Sequence, residues 1–284
     1  MVFFSAICFR AWHVIETTET CSVTEMKSFE MTSTRATARI DLLAGRLGSL
    51  VVDGHELLII DGPKPTRWGS FPMAPWAGRL DHGLLTFDGV EYQFPPTSGV
   101  HANHGTVMHQ TWTKTGDGQI TTDLGEYWKF GGTADQKFEL TDTSFTVEMT
   151  ITAGENAMPV QLGWHPWYSR DIGVGEQLSL EFAAEQIYAT NQDQVPTGEL
   201  IPVPEGPWDE TFIGVTQTPI LRWGSEFTLA LTSNFDHWVV FTQPEHAMAI
   251  EPQSGAPNDI NRAPHILQPG ESLSGWMTLD WSGS

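Results

Sequence analysis

The chain has 284 residues, 14 Lys+Arg against 35 Asp+Glu for a formal net charge of −21, and is 40% hydrophobic with 12 Trp. That charge excludes partners gripped by a basic surface, nucleic acid above all, and argues against docking on an anionic membrane. An aromatic content of 11% excludes a disordered acidic chain, and the length suits one large β domain.

The two cysteines, Cys8 and Cys21, both fall near the start. Neither a disulfide framework nor a thiolate metal site therefore supports the rest, as suits a cytoplasmic protein. The apolar run from Val2 to Phe9 lacks a Lys/Arg-rich start, is interrupted at Arg10, and leads to no clean Ala-x-Ala cleavage site. Residues 1–34 are expected to be a disordered or loosely packed N-terminal extension, and residues 35–284 one domain. A targeting segment and an ordered arm packed on the body are the alternatives. No stretch reaches the roughly 18–20 apolar residues that span a bilayer.

From about Arg35 the chain reads as strands and turns. Apolar and polar residues alternate at period two in residues 38–42 and 48–52. Residues 83–94 hold two such runs around Asp88-Gly89, a hairpin signal because the tight turn needs positive φ. Residues 144–151, 178–182, 227–231, 238–242 and 277–281 alternate as well. No amphipathic helix longer than about ten residues is expected, and 27 Gly and 18 Pro are spread as punctuation. The fold class is therefore all-β, a large antiparallel β-sandwich.

Four segments carry more polar and aromatic chemistry than plain strands need. Phe71 to Leu80 sets Arg79 in an apolar, Pro-rich context, where a guanidinium is costly to desolvate unless paired or gripping a ligand. His101, His104 and His109 lie within nine residues, but without the carboxylate or cysteine set of a zinc site, so no metal is expected. Gln161 to Tyr168 flanks His165 with Trp164 and Trp167. Aromatic walls beside a polar group are one way to hold a sugar ring. Met248 to Asn258 runs an apolar strand into Glu251, a carboxylate placed for a raised pKa, and on to Gln253. Each also has a structural reading, as a loop Arg, a satisfied core His or a strand-end turn.

Taken in order, PWAGRL, NHGTV, GWHPWY, PWDETF, IEPQSGAPN and LQPGES resemble the aldose 1-epimerase (galactose mutarotase-like) family over about residue 36 to the C-terminus. The resemblance implies a large antiparallel β-sandwich with an open concave face. It also implies interconversion of the α and β anomers of free aldoses without cofactor or metal. Position by position, it implies His165 as general acid and Glu251 as general base. Arg79, His104 and Asp209 would bind substrate, joined by Trp164 and Gln253 from the same segments. Gly78 stands where the family usually has Asn, and Asn103 where it often has an apolar residue, which leaves the sugar open.

Anomerisation needs a base for the C1 hydroxyl proton and an acid for the ring oxygen, expected on opposite sides of the ring. Trp76, Trp164, Trp167 and Trp208 are expected to supply part of a sugar-binding surface. The partner is expected to be a small sugar and the protein a monomer or weak dimer. A hexose-6-phosphate 1-epimerase stays open because Arg67 and Arg170 lie near the motifs, although the charge of −21 favours a neutral sugar. A glycosidase using Asp209 and Glu251 and a non-catalytic carbohydrate-binding protein also remain open.

Overall fold

The computed structural model describes residues 28–281. Cys8, Cys21 and the apolar run at the start of the chain lie outside them. Of the segment expected as an extension, Ser28–Thr32 forms a strand paired along its length with Ala36–Asp41. Among the described residues no helix is long and apolar enough to cross a membrane, and the one α-helix is the single turn Asp259–Arg262.

Each alternating segment is a strand. Ser144–Thr152 buries every second residue, and Ala36–Asp41 does so over most of its length. The hairpin joins Leu84–Phe87 to Val90–Gln93, with Asp88 (φ 51°) and Gly89 (φ 73°) both left-handed at the turn.

The architecture is an antiparallel β-sandwich. One sheet hydrogen-bonds, in spatial order, Ala36–Asp41, Arg46–Val52, Ser70–Met73, Gly163–Ser169, Ala247–Gln253 and His237–Phe241. The other runs Phe227–Ser233, Ser272–Asp280, Ser144–Thr152, Thr133–Leu140 and Gln119–Asp123. The long strand Asp209–Trp223 belongs to both: its first four residues pair with His237–Phe241, its last four with Phe227–Ser233. Leu178–Thr190 accompanies it and is far longer than the alternation over residues 178–182 indicates.

The core takes most of the aromatic content. Trp76, Trp112, Trp164, Trp167, Trp223 and Trp281 are among its largest fully buried side chains, each removing a large apolar area from water.

Candidate active site

The register of three adjacent strands builds the centre of the site. Ser70–Met73 pairs with Gly163–Ser169 so that Phe71 faces His165. On the other side Gly163 pairs with Gln253 and Trp167 with Ala249, which sets His165 directly across from Glu251. Cross-strand neighbours share a face, and His165 Nε2 lies 3.1 Å from Glu251 Oε1. By the same parity Gln253 lies on the Glu251 face, and its Nε2 donates to Glu251 Oε2 at 3.2 Å. These residues line a cavity with Arg79, His104, Trp167 and Asp209.

His165 and Glu251, the acid and base that the resemblance implies, were expected on opposite sides of the substrate. They instead sit side by side on one wall, because strands that pair in this register hold them in direct contact with no room for a ring between them.

The imidazole of His165 is clamped. Phe71 stacks on it at 4.8 Å and Trp167 at 5.0 Å, both nearly parallel. The Arg67 guanidinium lies 5.3 Å from the Trp167 ring, and the buried Arg46 lies 5.4 Å from Phe71 and 3.9 Å from Trp68. Burial, with His104, Arg67 and Arg46 adding to it, pushes the His165 pKa well below the ordinary histidine range. Burial and the negative charge of Asp209 push Glu251 well above the carboxylate range, against opposing effects of Arg79 and Gln253. Both displacements favour the uncharged forms of the pair, a carboxyl beside a neutral imidazole, over the charged ones. Nδ1 of His165 and Oε1 of Gln253 are buried without a protein partner among the described residues.

A two-stranded ribbon supplies the next groups. Arg79 pairs with Asn103, and the His104 amide donates to the Gly78 carbonyl. His104 takes φ 65°, unusual for a side chain other than glycine. Gly105 follows with φ 75°, and a Cβ there would lie 1.9 Å from the Ala74 carbonyl oxygen, so the glycine after His104 is a steric requirement. Nδ1 of His104 contacts Met73 Sδ at 2.9 Å, leaving Nε2 as the ring's acceptor. Burial, with Arg79 next, pushes its pKa down to about 3.

At Gly78 (φ 66°) a Cβ would lie 2.5 Å from Pro257 Cγ. This departure from the expected Asn is thus filled by the proline ring. Arg79 reaches Asp209 Oδ2 at 3.6 Å and donates to Gln194 Oε1 at 3.0 Å. Asp209, opposite Phe241 at the start of the strand shared by both sheets, brings that carboxylate in.

The structure thus brings together six of the seven expected residues: His165, Glu251, Arg79, His104, Asp209 and Gln253. It does not bring in Trp164. One residue from His165 in an extended strand, Trp164 points to the opposite face, where it is 1% exposed and its indole N–H donates to Gln136 Oε1. Trp76 is likewise core, donating to the Ala102 carbonyl, and neither belongs to a sugar-binding surface. Trp208 is half-buried and bonds the Pro204 carbonyl. Trp167, two residues from His165, shares its face and lines the cavity.

The three histidines do not converge. His104 meets His165 edge to face at 5.2 Å, whereas His101 lies with Asp81 and His82, one donor atom of each within 4.8 Å. There His101 Nε2 faces the Asp193 carbonyl, His101 Nδ1 accepts the His82 amide, and His82 Nδ1 meets Asp81 Oδ1. Arg170 is spent on the carbonyls of Pro244 and Thr242. Lys64, Thr66, Thr97 and Ser98 also line the cavity, and the sequence reading assigned them no role. They sit in loops without a motif, and Lys64 is marked only by its closeness to Arg67.

A family model described as aldose 1-epimerase matches residues 27–255. Among curated proteins, Escherichia coli (strain K12) YphB is 28% identical over 104 residues, 34% of this chain and 36% of YphB. YihR of the same organism is 24% identical over 172 residues, 56% of each chain. The matches thus span about a third and about half the length of these two relatives. Among solved structures, a galactose mutarotase-like protein from Clostridium acetobutylicum superposes with a TM-score of 0.80 at 17% identity, over 90% of this chain and 95% of that one. This likeness is one of fold.

Proposed function

The chain belongs to the aldose 1-epimerase family, and from that premise we propose that it interconverts the α and β anomers of an aldose by general acid–base ring opening and closure. The observation that carries the proposal is the buried His165–Glu251 contact of 3.1 Å, set in the floor of a cavity with hydroxyl-binding groups around it.

The two oxygens that exchange protons, the anomeric O1 and the ring O5, are bonded to the same carbon. Two catalytic groups side by side on one wall suit that arrangement. Glu251 takes the proton from O1 as C1–O5 breaks, and His165 gives a proton to O5. The sugar becomes the open-chain aldehyde, while the pair gives one proton and receives one, so its charge is unchanged. Rotation about C1–C2 turns the other carbonyl face to O5, and the steps run in reverse to close the other anomer. Catalysis of this type contributes roughly 10²- to 10⁴-fold.

The neutral pair that burial favours and the working carboxylate–imidazolium pair differ only by the transfer of one proton along the contact between them. Arg79 and Asp209 hold hydroxyls of the ring, and Gln253 orients Glu251 through its amide donor. Polarimetry of freshly dissolved glucose, galactose, xylose and arabinose tests the proposal. Catalysed mutarotation of at least one aldose supports it. Rates equal to the spontaneous ones for every sugar, phosphorylated sugars included, would overturn it.

A further inference from the structure

The charge around the cavity runs against the charge of the chain. Over the whole sequence acidic residues outnumber basic ones, 35 to 14. The cavity is lined by three cations, Lys64, Arg67 and Arg79, against the carboxyl groups of Asp209 and Glu251. Arg79 is matched by Asp209, and Glu251 is committed to His165. Lys64 and Arg67 are exposed, and neither has a carboxylate within ion-pair distance among the described residues. Two cations lining the cavity are thus left without an ion-pair partner among the described residues.

The local build presents them. Lys64 immediately precedes the single helical turn Pro65–Arg67, closed by the Arg67 amide on the Lys64 carbonyl at 3.0 Å. The indole N–H of Trp167 donates to the Thr66 carbonyl at 3.0 Å, tying that turn to the strand that carries His165. The guanidinium of Arg67 rests over the Trp167 ring at 5.3 Å, and Trp167 stacks on His165 at 5.0 Å. One indole thus links the free guanidinium to the proposed acid. A guanidinium held over an aromatic ring, with no carboxylate partner, keeps N–H groups available for contact with an oxyanion. The hydroxyls of Thr66 and Ser98 line the same cavity.

Resting on the mutarotase reading above, we propose that the substrate is an aldose bearing an oxyanion, a phosphate, sulfonate or carboxylate, at the end of the molecule away from C1, held by Arg67 and Lys64. The chain's net negative charge does not by itself oppose this, since exposed charges beyond a Debye length of about 10 Å at 0.1 M salt are largely screened.

The test measures kcat/KM for mutarotation of glucose, glucose 6-phosphate and glucuronate, each corrected for its spontaneous rate, at low and high salt. The expected result is a preference for an anionic sugar of about 10-fold or more at low salt, falling as salt rises. In Arg67→Gln, and more weakly in Lys64→Gln, the ratio of anionic to neutral kcat/KM falls toward one. If Arg67→Gln does not fold, Lys64→Gln, at an exposed position, carries the comparison. The phosphate and carboxylate arms separate a tetrahedral from a planar anion. Neutral and anionic sugars turned over equally, or a ratio unmoved by both variants, would overturn this inference and leave the mutarotase reading standing. Absence of turnover for all three would remove the mutarotase reading itself.

Discussion

Glu251 and His165 face one another across two antiparallel strands, Oε1 to Nε2 at 3.1 Å, both almost entirely withdrawn from water. Glu251→Gln keeps the shape and the contact with Gln253 but removes the base. Mutarotation should fall by roughly 10²- to 10⁴-fold while sugar affinity persists. Polarimetry paired with calorimetric titration separates the two effects. A near-normal rate would show that Glu251 is not the base.

The pH profile follows from the opposed displacements of the pair. Below the lowered His165 value the pair gains a proton and loses its base. Above the raised Glu251 value it loses a proton and with it the acid. Between these limits the proton count is constant, so kcat/KM should be flat between the two limbs. The alkaline limb should follow the raised Glu251 value rather than the ordinary histidine value of 6.5. A decline centred there would mean that His165 titrates as an exposed imidazole.

Asp209 raises the pKa of Glu251. Asp209→Asn should therefore move the alkaline limb to lower pH, besides raising KM through the lost ion pair with Arg79. A pH series on this variant reads both changes.

Trp164 and Trp167 should behave oppositely. Trp164→Phe removes buried ring volume and leaves the Gln136 carbonyl without its indole donor. The expected outcome is a loss of about 1–3 kcal/mol of stability, with kcat per folded molecule nearly intact. Trp167→Phe removes part of the platform under His165 and Arg67 and should lower kcat/KM. Thermal melts and initial rates on both proteins check the contrast.

Gly105→Ala would drive a Cβ onto the Ala74 carbonyl oxygen and hold an L residue at φ 75°. A stability loss of about 2 kcal/mol or more is expected, read as a lower melting temperature.

Much of this was legible in the sequence. The alternating runs mark strands because one face of each meets the core, and the order of motifs brings His165 and Glu251 forward together. The strand that carries the proposed acid does not alternate. Gly163 to Tyr168 are all buried, with core on one face and the site wall on the other, so residue type alone cannot tell Trp164 from Trp167. Parity could have done so, since only residues an even number away share the face of His165. The cationic mouth had no comparable signal, because Lys64 and Arg67 reach the site through a turn fixed by the Trp167 indole. The net charge of −21 sums over the whole chain and says nothing of the turn itself, and it favoured a neutral sugar for that reason.

The close approach of Gly78 to Pro257 has a consequence for how such sequences diverge. The loop before Arg79 and the loop after Glu251 are in close contact there, so a side chain at the first site requires the pyrrolidine ring at the second to shift or give way. Across homologues, Asn at the first position should be found with a residue other than proline at the second, and the two should be exchanged together. Introducing Asn at position 78 alone should cripple the protein, and a compensating change at Pro257 should restore it.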